Sequence, residues 1–126
     1  MKRTLATVLL SFLMGVPVLA RGAEPSPTAK AEIAHLFSRL EASGCEFNRN
    51  GTWYKPQDAS VHLKKKYQYL LDKGMVTSAE SFIEKAATES SASGKPYQVR
   101  CGGGAPADSA VWFKAELTRH RSANNK

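Results

Sequence analysis

Apolar residues recur along this chain in helical stripes, separated by two short segments that alternate instead. Ile33, Leu36, Phe37 and Leu40 fall at i, i+3, i+4 and i+7, one face of a helix that ends near Ser43, with Gly44 suited to a left-handed cap. Ala59, Leu63, Tyr67 and Leu70 repeat the pattern behind Pro56, which opens a helix at its first position, and Asp72-Lys73-Gly74 closes it. Ala79, Phe82, Ile83 and Ala86 form a shorter stripe after the capping-box sequence Thr77-Ser78-Ala79-Glu80. Ala110, Phe113 and Leu117 supply a last helix, capped by Asp108 or Ser109 and adjoined by Trp112, and the residues from Arg119 onward read as a frayed tail.

The alternating segments flank Asn50-Gly51, which supplies the two left-handed residues of a type I′ turn. A two-residue loop sets the register. Arg49 faces Thr52, Asn48 faces Trp53, Phe47 faces Tyr54, and Glu46 faces Lys55 as a surface ion pair. Cys45, Phe47 and Tyr54 then point to the core, and Glu46, Asn48, Trp53 and Lys55 point away. The same parity over positions 97–101 groups Tyr97, Val99 and Cys101 and leaves Gln98 and Arg100 opposite. Both cysteines land on apolar faces. The predicted class is α+β: a small two- or three-stranded antiparallel sheet with about four helices, stapled by one disulfide. The polar cluster before Gly94 reads as a turn, and positions 102–106 read as a flexible connector. Whether helices cover one sheet face or both stays open at this level, and the answer decides whether Trp53 is core or contact surface. The Asn50-Gly51-Thr52 sequon is read as turn chemistry.

The chain's beginning changes the compartment. Lys2 and Arg3 precede an apolar run over positions 5–19, and Val18-Leu19-Ala20 offers small residues for cleavage, so residues 1–20 read as a signal peptide, with Ala23 as a second cleavage position. Ser11, Gly15, Pro17 and Arg21 break the run too often for a transmembrane anchor. Residues 21–27 read as a flexible mature N-terminus, 28–121 as a single domain and 122–126 as the tail. Removing Lys2 and Arg3 lowers Lys plus Arg from 18 to 16 against 11 acids, a net charge of +5. That charge suits anionic envelope polymers or phospholipid surfaces, but plain solubility is its more common use. The basic residues are dispersed, which argues against nucleic acid. Two cysteines in an exported, periplasmic or secreted chain make one bond, Cys45–Cys101.

No catalytic pattern stands out. Cys45 with His62 imitates a thiol nucleophile pair, but oxidation removes the thiol. Glu41 with Glu46 imitates a glycosidase pair, yet Glu41 closes a helix and Glu46 faces Lys55. His35, His62 and His120 lack ligand spacing, and no cofactor motif is present. A binding reading uses Trp53 on the outward hairpin face, extended by Arg100, together with Arg49 and the His62/Lys66 flank of the second helix. An aromatic beside amides and cations suits a carbohydrate or anionic envelope polymer, or an envelope protein. The reading is therefore a non-catalytic exported module; the alternative is a small envelope hydrolase with an unrecognised active site. Glu32-Ile33, Ser43-Gly44-Cys45-x-Phe47-x-Arg49-Asn50-Gly51, His62-Leu63-x-x-Lys66-Tyr67, Ala79-Glu80-x-Phe82-Ile83, Ser91-x-Ser93-Gly94-x-Pro96-Tyr97 and Cys101 form an ordered set. In that set the chain resembles a family of short, exported bacterial proteins of unknown function. The resemblance implies export, one domain and a shared architecture, and assigns no catalytic residue.

Overall fold

The computed structural model of the chain describes Gly15 and residues 23–125. The rest of the predicted signal peptide, Ala20 included, lies outside the described residues. Four helices and four strands follow in the order α1 (Pro27–Ala42), β1 (Glu46–Arg49), β2 (Thr52–Tyr54), α2 (Pro56–Asp72), α3 (Ala79–Ala86), β3 (Gln98–Arg100), β4 (Ala107–Asp108) and α4 (Ser109–Asn124). The class is α+β, and the strands form one antiparallel sheet ordered β2-β1-β3-β4. The fourth strand corrects the expected two or three. Positions 102–106 are a hairpin loop rather than a connector, because Gly102 and Gly103 take φ of +58° and +76° and turn the chain back, so that Ala107 pairs with Val99. Two residues are too few to show alternation, so β4 carries no pattern of its own.

The β1–β2 register pairs Phe47 with Tyr54, Asn48 with Trp53 and Arg49 with Thr52, around Asn50 and Gly51 at φ of +54° and +85°. Across β1 and β3, Glu46 pairs with Arg100, Phe47 with Val99 and Asn48 with Gln98. Continuing that ladder by one residue brings Cys45 opposite Cys101, and those two are bonded. Cys45 is buried and Cys101 exposed, because the chain leaves the sheet there for the glycine loop. Cys45, Phe47, Tyr97 and Val99 are 4%, 1%, 1% and 2% exposed and join all four helices in one core. Glu46, Asn48, Trp53, Gln98 and Arg100 on the other face are not buried. Helices therefore cover one face.

The helical stripes face the core, with Leu36, Leu40, Leu63, Phe82 and Phe113 at 0% exposure, while Tyr67 and Ala110 are half-buried against it. The caps differ in detail. Ser26 caps α1 by accepting from the Ala29 amide at 3.1 Å, and Pro27 is its first residue, so these two belong to the helix rather than to a flexible lead. In α3 the cap is Ser78 and its reciprocal partner is Ser81, one step beyond the Thr77/Glu80 pair. A short serine hydroxyl at the third helical position reaches back as well as a glutamate does.

The largest departure is at the end. α4 runs on to Asn124, and Arg121, expected at the edge of a frayed tail, donates from Nε and Nη2 to Glu32 at 2.6 and 3.1 Å and from Nη1 to Glu80. One guanidinium thereby ties α4 to α1 and α3. Glu32 is only 8% exposed, and the Arg121 hydrogen bonds hold its carboxyl below the ordinary range against the opposing effect of burial. Glu116, 5% exposed, takes Arg39 at 3.2 Å and Arg119 at 2.9 Å. The Arg121 pairs and Arg39–Glu116 lie between helices and leave no mark in local periodicity, whereas Arg119–Glu116 is an i,i+3 pair within α4.

Arg121→Ala strands the Glu32 carboxylate and lowers stability by about 2 kcal/mol in urea denaturation. A folded pKa below the unfolded value contributes stability that is present above the ordinary carboxylate range and lost as pH falls. The deficit therefore shrinks in acid, and a variant as stable as the parent at neutral pH would return Arg121 to a passive tail. Gly51→Val forces a β-branched residue to positive φ and costs about 1–2 kcal/mol; an unchanged denaturation midpoint would contradict the turn.

Candidate functional site

The β1–β3 ladder has a second end. Continued one residue the other way, it brings Arg49 opposite Tyr97, on the same helix-facing side as Phe47 and Val99. The Asn50-Gly51 turn begins at that point, so Arg49 lies beyond the packed core and is half-buried. α2 crosses there. Asp58, His62 and Lys66 stand four residues apart on it and share one face.

Arg49 Nη1 approaches His62 Nδ1 at 2.8 Å. A guanidinium can only donate, so His62 receives it as a neutral imidazole; the same Nη1 also lies 3.4 Å from Nε2. Nε2 lies 3.3 Å from the Tyr97 hydroxyl, which also receives Lys66 Nζ at 3.4 Å. The hydroxyl oxygen accepts from the Lys66 ammonium. Arg49 Nη2 donates to the Tyr54 hydroxyl at 3.4 Å, and Lys66 Nζ donates to the Glu89 carbonyl at 2.7 Å. Burial depresses the His62 pKa, with Arg49, Lys66 and Lys65 adding to it. Lys66 is also pushed down by burial, with Glu89 opposing, and burial raises Tyr97, with Arg49 opposing.

Two cavities meet at the Arg49–His62 contact. One, of about 180 Å³, is walled by Phe47, Tyr54 and Ala59 with Asp58 beside them. The other, of about 300 Å³, is lined by Lys66, Tyr97, Ser90 and Ser91 among others. Asn50 anchors the hairpin tip beside it, donating to Ser90 Oγ at 3.2 Å and accepting from Ser93 Oγ at 2.6 Å.

Arg49, His62 and Lys66 thus come together, and Trp53 and Arg100 do not join them. Those two lie on the other sheet face, as their parity with Asn48 and Gln98 requires. The Arg100 guanidinium sits 3.9 Å from the Trp53 ring centroid, and Arg100 Nε and Nη2 donate to the Glu46 carboxylate at 3.1 and 3.2 Å. Trp53 is half-buried under an arginine rather than under a helix. The expected Glu46–Lys55 pair is replaced by Glu46–Arg100, because Arg100 sits directly opposite on β3.

The other chemistries separate as well. Cys45 is bonded to Cys101 and has no thiol to offer. Glu41 accepts from Ser60 at 2.6 Å and Lys64 at 2.8 Å, on the other side of α2 from His62, and those bonds hold its pKa down. His35 stacks on His120 at 4.0 Å and is remote from His62 in its contacts. Sequence reasoning missed the hydroxyls of Tyr54 and Tyr97, which it took as core, and the Ser90/Ser93 clamp on Asn50, which it took as a plain turn. The Tyr97 ring is packed in the core and its hydroxyl reaches the site, whereas Tyr54, expected in the core, is half-buried at its edge and walls the smaller cavity.

A model of the family of unknown function DUF5329 matches residues 27–121. The chain belongs to the DUF5329 family. No curated protein and no solved structure matches it. The matched span opens on the first residue of α1 and closes on Arg121, so the DUF5329 unit includes the interhelical clamp, both cysteines and the whole cleft.

A lowered folded pKa on a base means that the His62 contribution to stability is present above its ordinary value and lost as pH falls, since the unfolded state binds more protons. Followed by NMR, His62 titrates below an unfolded histidine, and Arg49→Gln moves it up. A wild-type titration at or above the unfolded value would refute the neutral Arg49–His62 contact.

Proposed function

We propose that this DUF5329 domain is a non-catalytic binding module that takes an anionic group in the cleft between Arg49, His62 and Lys66, and that it works on an anionic polymer of the cell envelope. One observation carries the reading. Among the described residues the half-buried cations are Arg49, Lys66 and Arg100, and only Arg100 has a carboxylate partner. Removing a cation from water without a paired carboxylate is costly, and burial pushes the Lys66 pKa down, with Glu89 opposing. An anion entering the cleft supplies the missing charge. The Tyr97 hydroxyl and the Ser90 and Ser91 side chains add neutral polar groups around it.

Export of the domain is part of the same proposal. The basic and apolar start of the chain, the small residues at Ala20 and the oxidised cysteine pair support it. No helix among the described residues is long and apolar enough to cross a membrane. Trp53 and Arg100 take a different role, stabilising the open sheet face through their stack and the Glu46 pair. A hydrolytic reading gains nothing from the cleft, where His62 is engaged by a cation instead of by a carboxylate that would orient it as a base.

Polyphosphate and polygalacturonate serve as probes, with affinity read by calorimetry. The double variant Arg49→Gln/Lys66→Gln weakens binding by about tenfold or more, the scale of lost charge-assisted hydrogen bonds. Lys85→Gln/Lys114→Gln removes the same charge from exposed positions and changes it far less. Equal losses in the two variants would reduce the effect to net charge and end the site reading. Trp53→Ala keeps its affinity.

A further inference from the structure

The two cavities differ in chemistry, and that difference bears on what the cleft accepts. On the Lys66 side the lining offers a cation, the Tyr97 hydroxyl and two serines. On the other side it offers the side chains of Phe47 and Ala59, 1% and 3% exposed, and the Tyr54 ring. Arg49 and His62 line both. The apolar cavity holds about 180 Å³, and a dry apolar cavity of about 150 Å³ is enough for a benzene-sized ring. Asp58 is exposed at its border and repels a second anion there. The polarity of a bound ligand is therefore set: negative group toward Lys66, uncharged apolar portion toward Ala59.

We propose that the cleft seats a monoanion or dianion joined directly to one compact apolar group, the anion between Arg49 and Lys66 and the apolar group against Phe47, Tyr54 and Ala59. This rests on the anion-binding reading above and narrows it, since a bare anion fills only one of the two cavities. Phosphate monoesters and carboxylates that carry a ring or short branched alkyl group share this chemistry. A uniformly charged polyanion engages the cleft through a single such unit, at a chain end or side branch.

Calorimetry of the oxidised protein compares inorganic phosphate with phenyl phosphate, and acetate with phenylacetate. Enclosing the ring favours the phenyl member of each pair by about tenfold or more, from the area it removes from water. Ala59→Leu fills the apolar cavity, and the smaller Ala59→Val fills part of it. Each lowers the preference, the leucine more than the valine, and leaves the affinity for inorganic phosphate within about twofold, on the scale of a few tenths of a kcal/mol. Thermal melting confirms that each variant folds, and Ala59→Val decides alone if Ala59→Leu does not. Phosphate and phenyl phosphate binding equally would overturn the two-cavity ligand and keep the anion site. A preference that survives both variants would place the ring elsewhere and also overturn it. No binding of either member of either pair would overturn the anion site itself.

Discussion

The register of β1 against β3 is the constraint on which the rest depends. These strands are separated by two helices, and their pairing is closed at one end by the Cys45–Cys101 bond across 56 residues. A cross-link over a loop of that length removes about 4 kcal/mol of chain entropy from the unfolded state on the loop-closure estimate. Antiparallel pairing then carries the constraint along the ladder: a bond at 45 and 101 requires Phe47 beside Val99 and, one step past Asn48 and Gln98, Arg49 beside Tyr97. Staple and cleft are the two ends of one ladder. A slip of one residue would break the bond and turn Arg49 to the open face.

Arginine does two opposite jobs in this domain. Arg121 and Arg100 are compensated, the first by Glu32 and Glu80 across three helices, the second by Glu46 beneath the Trp53 stack. They hold elements together. Arg49 has been given a neutral imidazole and a phenol instead, and the cation nearest to it in that network, Lys66, has a backbone carbonyl and a phenol. Hydrogen bonds satisfy both cations in geometry while their charge stays unbalanced. A fold selected for stability alone would place a carboxylate there.

The walls of the cleft come from elements with different supports. α2 is set by core packing at Ala59 and Leu63, immediately beside His62. The hairpin tip is set by Asn50, whose amide is clamped by Ser90 and Ser93 in the turn before β3. The same turn supplies the Glu89 carbonyl to Lys66. The polar half of the cleft is thus held by side-chain hydrogen bonds among loops, and the apolar half by the edge of the core.

The sequence by itself determined what is periodic: the four helices, the hairpin with its faces, the partner of each cysteine and the α+β class. Those features are repeated every two or three to four residues, so several side chains report each one. It also separated Arg49 from Trp53 by parity, although a binding surface drawn from residue types merged them. Only the tertiary structure decided that helices cover a single face, that two residues after a glycine loop add a strand, and that Arg121 belongs to the core's rim. Only it brought His62 to Arg49 and left both without a carboxylate. Each of these is one contact between distant segments, and a single contact at large separation has no period through which a sequence can announce it.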